Sequence, residues 1–386
     1  MATGEINLRD VYVAGVGMTP FGKFKETSVA AMGQEAVRAA LRDSGVARQD
    51  IDAAYCGSVM QGLLVGQRIL KDVGLSGVPV YNHENACSSG SSALSQAWLS
   101  VAAGLCDAVL VVGAEKLSGL GGGPLPIDTD DPEVDQGITM PALYGMRARA
   151  YLEKHGGSIE QVAGVTVKNR RHAAANPYAQ YRDPVTVEEV MGSRLIAEPI
   201  TLLQMCPNAD GAAAAVLCAE EGLADRDGPK VRILSSVVTS GRFEQGYRDM
   251  TTPDITIRAA RRAYELAGLS PDDIDVVEVH DAAAIAEVIY YEALGLCDPG
   301  GGLAFLDSGA TAVGGQVPVN PSGGLLCRGH PLGATGLAQL AELTWQLRGE
   351  AEGRQVAGAK TALAHCTGGG IWGLDNGACS IHILGT

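Results

Sequence analysis

Residues 36–59 read AVRAALRDSGVARQDIDAAYCGSV, and residues 259–282 read AARRAYELAGLSPDDIDVVEVHDA. The two stretches align without a gap. In each, a helical pattern ends at a glycine, Gly45 or Gly268, and a short acidic turn leads into a strand pattern that begins at an Ile-Asp pair. A duplicated helix–turn–strand unit predicts two similar α/β halves, so this repeat decides the fold.

A second, weaker correspondence supports the duplication. Residues 87–94 (CSSGSSAL) resemble residues 330–337 (HPLGATGL), and each stretch opens a helix rich in small residues. Chance similarity is the alternative, but two correspondences in the same order favour duplication. We predict an α/β fold with halves at about residues 1–228 and 229–386. The first half carries an extra segment at about residues 117–200, which we interpret as an inserted substrate-binding subdomain.

Composition limits the classes of partner. The chain of 386 residues has a formal net charge of −15, so we expect no nucleic-acid partner. Residues 147–194 nevertheless hold a local excess of Lys and Arg, which suits a small anionic ligand; a solvated helical surface is the alternative reading. The nine cysteines form no CxxC pair, which favours reduced thiols over a disulfide framework or a metal site.

Targeting signals are not apparent in the sequence. The first residues, MATGE, lack a charged region followed by an apolar run, so we expect no signal peptide. No stretch approaches the uninterrupted apolar length that spans a membrane. Together with the cysteine pattern, this predicts a cytoplasmic protein without a membrane partner.

Two candidate reactive residues occupy the second correspondence. Cys87 follows a strand-like run at residues 78–81 and precedes a helix, where free N–H groups and the helix dipole stabilise a thiolate and bind an oxyanion. His330 lies between a glycine and a proline at a helix start, and its neutral imidazole could take a proton from a thiol. The alternatives are a buried structural cysteine and a merely hydrogen-bonded histidine.

Two further motifs follow strand patterns. Cys366 opens CTGGG, whose glycine triplet predicts a backbone nest with accessible N–H groups; an incidental cysteine at a tight turn is the alternative. His280 and Asp281 end the strand pattern VEVHD, where the carboxylate could orient the imidazole, and Glu287 is either structural or a supporting group. A cysteine nucleophile, a histidine base, a second cysteine and a backbone nest together describe acyl transfer without a metal.

The motifs NACSSG (85–90), HDA (280–282), GHPLGATG (329–336) and CTGGG (366–370) together resemble the thiolase superfamily, and they occur in the family's order. The sequence is most similar to the sterol-carrier-protein-2 type and its bacterial and archaeal relatives, which have His-Asp where other thiolases have Asn-Glu. The resemblance covers nearly the whole chain. It implies a thiolase-like fold, in which two pseudo-symmetric halves form a layered αβαβα core.

The resemblance also implies roles for these residues. Cys87 is expected to be the acylated nucleophile and His330 its base, while Cys366 moves a proton to or from the second substrate. His280 and His330 are expected to form one oxyanion hole, and the N–H groups of Cys87 and Gly368 the other. The implied reaction is ping-pong cleavage of a 3-oxoacyl-CoA by free coenzyme A, or the reverse condensation.

Coenzyme A is then a substrate or product, and no tightly bound cofactor is expected. The resemblance places it on the insertion, where Arg147, Lys168 and Arg171 are candidate contacts. A homodimer or a dimer of dimers is expected, and some relatives work beside a small zinc-ribbon/OB-fold subunit.

The sequence departs from the family at Ala282 and Ala283, where relatives have a cysteine or alanine followed by an aromatic residue. A missing aromatic side chain predicts a roomier acyl pocket and a bulky, branched or aromatic acyl chain. Two alternatives stay open: a thiolase-like retro-aldolase or carbon-acylating enzyme, and a non-catalytic subunit that binds acyl-CoA.

Overall fold

The computed structural model describes residues 8–120, 123, 125, 131–223, 228–243, 249–371 and 376–386. The strands are Tyr12–Met18 (β1), Ala53–Gly57 (β2), Val80–His83 (β3), Ala108–Lys116 (β4), Leu195–Ala197 (β5), Ile200–Thr201 (β6), Asp210–Cys218 (β7), Arg232–Thr239 (β8), Val276–Glu278 (β9), Thr361–Gly368 (β10) and Ala378–Gly385 (β11). The helices are Val29–Ser44 (α1), Val65–Leu70 (α2), Ser89–Ala102 (α3), Pro132–Asp135 (α4), Met140–His155 (α5), Ile159–Ala173 (α6), Val187–Gly192 (α7), Asp254–Ala267 (α8), Ala284–Ala293 (α9), Gly302–Asp307 (α10), Gly324–Arg328 (α11) and Thr335–Arg348 (α12). Within the described ranges, none of these helices has the length and apolar character needed to cross a membrane.

The large sheet repeats one pattern of strand pairing. In the first half, β1 pairs antiparallel with β7, β7 antiparallel with β4, and β4, β2 and β3 run parallel. In the second half, β8 pairs antiparallel with β11, β11 antiparallel with β10, and β10 parallel with β9. The counterpart of β3 is reduced to one parallel bridge between Val277 and Val319. The two half-sheets meet where Tyr12 of β1 pairs with Arg232 of β8. This repeated topology confirms the predicted α/β fold of two similar halves.

The sequence repeat maps onto equivalent elements. Helix α1 ends at Gly45 and helix α8 at Gly268, each with φ of 67°. Glycine adopts this left-handed conformation without the steric penalty of a Cβ atom, which explains why each helix stops there. A single 3-10 turn then leads into β2 or β9.

Apolar side chains fill three layers around the half-sheets. Along β2, Tyr55 packs with the central helices α3 and α12, and the next residue, Cys56, packs with the outer helices α1 and α2. On the second half, Leu363 of β10 faces the outer helices α8 and α9, while its neighbour Ala364 faces α3 and α12. Alternate residues of a strand point to opposite faces, so each half-sheet is covered on both sides. The result is the expected αβαβα layering.

The insertion lies between the end of β4 and the start of β7 and contains α4 to α7 with the hairpin β5–β6. Within the predicted segment, residues 121, 122, 124 and 126–130 lie outside the described residues. The boundary at 228/229, which falls between β7 and β8, and the substrate-binding role of residues 117–200 stay predictions.

Candidate active site

The turn that carries Cys87 is tight and strained. Ala86 has φ of 47°, which is unusual for a residue with a side chain. The Ser88 N–H donates to the Asn85 carbonyl at 3.0 Å, and the Ser89 N–H donates to the Ala86 carbonyl at 3.1 Å. These bonds turn the chain sharply from β3 into α3. Cys87 is thereby held beside the N-terminus of α3, as the sequence predicts.

Three predicted residues converge at this turn. One ligand-type atom from each of Cys87, His280 and His330 lies within 4.8 Å of the other two. The two imidazole rings meet edge to face, with their centroids 4.9 Å apart. Both histidines are buried, whereas Cys87 keeps partial exposure to solvent. This spacing would also admit a soft cation, but acyl transfer by these groups needs none, and the sequence predicts none.

Cys366, which also belongs to the second half, lies beside these three residues as the sequence predicts. Its Sγ donates to the carbonyl oxygen of Cys87 at 3.2 Å. Burial raises the pKa of the Cys366 thiol well above its ordinary value, and nearby Cys87 and Cys379 raise it further. Cys366 therefore keeps its proton at neutral pH and can donate it.

Burial also keeps Cys87 and both histidines uncharged. It raises the pKa of the Cys87 thiol to about 12, although hydrogen bonds from the N–H groups of Gly369 and of Cys87 itself act in the opposite direction. It lowers the pKa of His330 well below its ordinary value and that of His280 to about 3. The resting site thus pairs a protonated thiol with a neutral imidazole. The thiol becomes a nucleophile when the imidazole takes its proton.

Threonine hydroxyls hold both imidazoles. His330 Nδ1 lies 2.7 Å from Oγ1 of Thr335, and His280 Nδ1 lies 3.1 Å from Oγ1 of Thr367. Within the described residues, neither Nε2 atom has a hydrogen-bond partner. Each ring therefore has one anchored nitrogen and one nitrogen left for substrate.

The glycine motif packs directly on the nucleophile turn. A Cβ atom at Gly368 would lie 2.0 Å from the carbonyl oxygen of Asn85, so no larger residue fits there. The N–H groups that lower the pKa of the Cys87 thiol belong to Cys87 itself and to Gly369, a member of the predicted glycine nest, whereas the resemblance named Gly368. The predicted oxyanion-hole role of the Gly368 N–H stays a prediction.

The structure corrects the interpretation of Asp281. Its carboxylate accepts hydrogen bonds from the Leu325 N–H at 2.6 Å and from the Asn169 amide at 2.9 Å, rather than from His280. Asp281 thus ties the His280 loop to the start of α11, the helix that precedes His330. Both partners of the Asp281 carboxylate lie far away along the chain, so the sequence alone could not identify them.

The predicted coenzyme A contacts lie in different environments. Arg147 is buried, with its guanidinium 5.6 Å from the ring centroid of Tyr144. Lys168 is also buried, and its ammonium donates to Glu287 at 2.5 Å and to the Val319 carbonyl at 2.8 Å. Arg171 is exposed. The geometry gives Lys168 and Glu287 a structural role, and a coenzyme A contact for any of the three cations stays a prediction.

Sequence reasoning missed two groups that border the site. The Glu115 carboxylate, at the end of β4, accepts the N–H groups of Met60 at 2.9 Å and Gly333 at 3.1 Å, so it fixes the loop after His330 against the first half. Burial raises the pKa of the Tyr144 phenol on α5 well above its ordinary value, with smaller contributions in the same direction from Tyr290 and Cys87. A charged residue ending the apolar strand AVLVVGAEK was the available signal for Glu115.

Comparison with known proteins identifies the family of the chain. The family model "Thiolase, N-terminal domain" matches residues 11–221, and "Thiolase C-terminal domain-like" matches residues 238–378. Benzoylsuccinyl-CoA thiolase subunit BbsB of Thauera aromatica is 43% identical over 94% of this chain and 95% of its own. Acetyl-CoA acetyltransferase of Methanothermobacter thermautotrophicus is 42% identical over 98% of this chain and 100% of its own. Sterol carrier protein 2 of Homo sapiens is 41% identical over 94% of this chain and 70% of its own. The predicted resemblance to the sterol-carrier-protein-2 type is confirmed.

Solved structures share the fold. The Ltp2-ChsH2(DUF35) aldolase is 25% identical, with a TM-score of 0.85 over 99% of both chains. Human mitochondrial 3-ketoacyl-CoA thiolase is 20% identical, with a TM-score of 0.75 over 98% of this chain and 99% of its own. Because two family models and close relatives cover nearly the entire length, the chain belongs to the thiolase family and is an acyl-CoA C-acyltransferase.

Proposed function

We propose that the chain cleaves a 3-oxoacyl-CoA with free coenzyme A, or runs the reverse condensation, through an acyl group carried on Cys87. The observation that carries this proposal is the convergence of Cys87, His280 and His330 within 4.8 Å, with the Cys366 thiol bonded to the Cys87 carbonyl. Those groups supply a nucleophile, a base, an oxyanion donor and a proton donor at one place.

The cleavage begins when His330 takes the thiol proton of Cys87 and the sulfur attacks the 3-oxo carbon. The tetrahedral oxyanion is held by the N–H groups of Cys87 and of the glycine motif, where Gly368 is the proposed donor and Gly369 a second. Collapse breaks the bond between C2 and C3. The departing enolate oxygen is stabilised by His280 and His330, and Cys366 gives its proton to C2.

The second half-reaction transfers the acyl group. The Cys366 thiolate takes the thiol proton of coenzyme A, and the coenzyme A sulfur attacks the acyl thioester on Cys87. Cys87 leaves as a thiolate and recovers its proton from His330, and the proton that Cys366 gave to C2 is replaced by the thiol proton of coenzyme A, so both thiols end the cycle protonated. The acyl group carried on Cys87 between the two half-reactions makes the kinetics ping-pong.

A bulky, branched or aromatic acyl chain fits the surroundings of the site. Ala282 and Ala283 lie in a large buried apolar cluster, and their small side chains occupy less space there than an aromatic side chain would. A relative named for benzoylsuccinyl-CoA, an aromatic thioester, is 43% identical to this chain. A degradative role on lipid or aromatic acyl chains follows from this substrate class.

Coenzyme A would lie against the insertion. Arg171 on α6 is exposed and available to a phosphate, while Arg147 stacks near Tyr144 beside the acyl site. Lys168 is the weakest of the three candidates because its ammonium already has a buried carboxylate partner.

We also propose an assembly of at least two chains. Strand β3 is the last strand of the first half-sheet in the described structure, and Tyr81 on it is 51% exposed. An exposed strand edge beside an aromatic side chain favours pairing with a second copy. The relative's description as a subunit and the DUF35 partner in the aldolase's name support a small partner subunit as well. The free cysteines of the described chain suit a reducing cytoplasm.

Retro-aldol cleavage of a 3-hydroxyacyl-CoA is the second candidate, favoured by the structural likeness to an aldolase. Such a reaction needs no acyl-enzyme, so the presence of both Cys87 and Cys366 argues for the thiolase. A non-catalytic acyl-CoA-binding subunit would have no use for either.

A substrate screen tests the proposal. Purified protein is incubated with acetoacetyl-CoA, with branched and aromatic 3-oxoacyl-CoAs, and with matching 3-hydroxyacyl-CoAs, each with and without free coenzyme A. We expect cleavage of 3-oxo substrates only when coenzyme A is present, with the larger substrates preferred. Cleavage of 3-hydroxy substrates without coenzyme A would identify an aldolase, and equal turnover of acetoacetyl-CoA would remove the bulky-substrate proposal.

A further inference from the structure

Two threonines anchor the two histidines of the site, but their own hydrogen bonds differ. Thr335 Oγ1 lies 2.7 Å from His330 Nδ1 and 3.0 Å from the Pro331 carbonyl. Thr367 Oγ1 lies 3.1 Å from His280 Nδ1 and 3.3 Å from the phenol oxygen of Tyr290. The first threonine faces a group that can only accept, whereas the second faces a group that can donate.

The polarity at His330 follows from the Pro331 carbonyl. This carbonyl also accepts the N–H groups of Ala334 and Thr335, and since it has no proton, the Thr335 hydroxyl can only donate to it. With the hydroxyl proton directed there, the Thr335 oxygen accepts from His330 Nδ1–H. A neutral imidazole has one ring proton, so His330 Nε2 is bare. This is the tautomer that a base needs in order to take the proton of Cys87.

At His280 the hydrogen bond from the threonine can run in the opposite direction. When the Tyr290 phenol donates to Thr367, the Thr367 hydroxyl is free to donate to His280 Nδ1, which places the ring proton on Nε2. All three side chains are nearly inaccessible to solvent, so water does not compete for these bonds. We propose that Thr335 and Thr367 set opposite tautomers on the two neighbouring histidines, making His330 an acceptor and His280 a donor at Nε2.

The packing of the rings leaves both outer nitrogens available to a substrate. The two rings meet edge to face with their centroids 4.9 Å apart, and neither Nε2 atom has a hydrogen-bond partner among the described residues. Opposite tautomers give this buried pair one Nε2 donor and one Nε2 acceptor. Burial, which holds the pKa of His280 at about 3, keeps this ring neutral, so the tautomer alone decides whether it can donate.

The inference rests on the proposed function for its catalytic meaning, because a bare Nε2 on His280 could not stabilise an enolate oxygen. Thr335, Thr367 and Tyr290 are accordingly positioning residues. They act through the imidazoles and touch no substrate in this scheme.

The ring protons can be observed directly by 15N NMR of protein labelled at histidine, since protonated and bare ring nitrogens have well-separated shifts. Spectra of His280→Gln and His330→Gln assign the two rings. In the wild-type protein we expect the proton on Nε2 of His280 and on Nδ1 of His330. A wild-type spectrum with the His280 proton on Nδ1, or with both rings in the same tautomer, overturns the proposal.

Variants of Thr367 test the consequence. Thr367→Ser keeps the hydroxyl and should keep both the His280 tautomer and kcat within about twofold. Thr367→Val removes it and should shift His280 toward Nδ1–H while lowering kcat about 10²-fold, with KM for the acyl-CoA changed far less, as for loss of one oxyanion donor. Tyr290→Phe should shift the tautomer in the same direction. Unchanged His280 shifts in folded Thr367→Val would contradict the proposal.

Acylation of Cys87 separates this proposal from the proposed function. If the wild-type protein forms the acyl adduct but carries the His280 proton on Nδ1, the tautomer assignment alone is wrong. If no adduct forms during turnover, the proposed function is wrong whatever the spectra show.

Discussion

The Cys366 thiol donates to the backbone carbonyl of Cys87 at 3.2 Å, so the second cysteine is held beside the nucleophile without competing for its sulfur. The two residues come from different halves of the chain, on the turn after β3 and in β10. This arrangement separates the two tasks of the site: Cys87 carries the acyl group, and Cys366 moves a proton.

Replacing Cys366 should therefore impair one step selectively. Cys366→Ala is expected to lower thiolysis of a 3-oxoacyl-CoA by about 10²- to 10⁴-fold, because the enolate loses its proton donor. In attack on a simple acyl-CoA the leaving group is a thiolate, which departs without a proton donor more easily than a carbanion does, so the acyl adduct should still form. Steady-state thiolysis and intact-protein mass spectrometry measure the two quantities. Cys106→Ala, at a half-buried cysteine outside the site, is the control and should leave both unchanged.

Alkylation of Cys87 should depend steeply on pH. Burial raises the pKa of its thiol to about 12, so the thiolate fraction should increase about tenfold per pH unit between pH 7 and 10. The measurement is the rate of iodoacetamide labelling of Cys87, followed by peptide mass spectrometry. Burial lowers the pKa of both His280 and His330, so we expect neutral imidazoles beside the thiol in this range. A rate that is flat between pH 6 and 9 would instead indicate a preformed thiolate–imidazolium pair.

The glycine motif offers a matched pair of alanine substitutions. Gly368→Ala would place a Cβ atom 2.0 Å from the Asn85 carbonyl, whereas the nearest atom to a Cβ at Gly370 is the Met140 sulfur, at 3.7 Å. We expect Gly368→Ala to lower the free energy of unfolding by about 1–3 kcal/mol or more and to displace the Cys87 turn, with loss of activity. Gly370→Ala should change stability by less than about 0.5 kcal/mol. Urea denaturation and thiolysis assays compare them, and equal effects would argue against the close approach.

Lys168 and Arg171 lie on the same helix, α6, and variants at the two positions can distinguish a structural role from a role in coenzyme A binding. Lys168→Met leaves Glu287 buried without its ammonium partner, and such a loss destabilises a protein by about 3–5 kcal/mol. Adding Glu287→Gln to that variant should recover part of the stability. Arg171→Met should leave unfolding within about 0.5 kcal/mol and raise the KM for coenzyme A. If Lys168→Met instead left the free energy of unfolding unchanged and raised the KM for coenzyme A, Lys168 would be a ligand contact and not a structural residue.

Local patterns were sufficient to predict much of this molecule. The repeated helix, glycine stop and acidic turn at Gly45 and Gly268 predicted the two similar halves, because helix caps and strand starts depend on neighbouring residues. The duplicated small-residue motifs likewise pointed to Cys87 and His330 as a pair. The topology agrees. Cys87 follows β3, the outermost parallel strand of the first half, and His330 follows the equivalent position in the second half, where the strand is reduced to a single bridge at Val319.

What the sequence could not supply were contacts between distant segments. Asp281 follows His280 directly, yet its carboxylate bonds to α11 and to Asn169 of the insertion, because the backbone turn directs the two side chains apart. Lys168 lies in a cationic stretch, but the fold buries it against Glu287. Thr367 lies within the CTGGG motif, but its hydrogen bond to His280 becomes visible only when the fold brings His280 and Tyr290 beside it.

The central claim is that turnover passes through an acyl group on Cys87. The most direct test is rapid quenching of the wild-type protein with a 3-oxoacyl-CoA in the absence of free coenzyme A, followed by intact-protein and peptide mass spectrometry. We expect a mass increase equal to the acyl group, located on Cys87, discharged by added coenzyme A and absent in Cys87→Ala. Turnover by wild-type protein with no adduct on Cys87, or turnover that persists in Cys87→Ala, would contradict it.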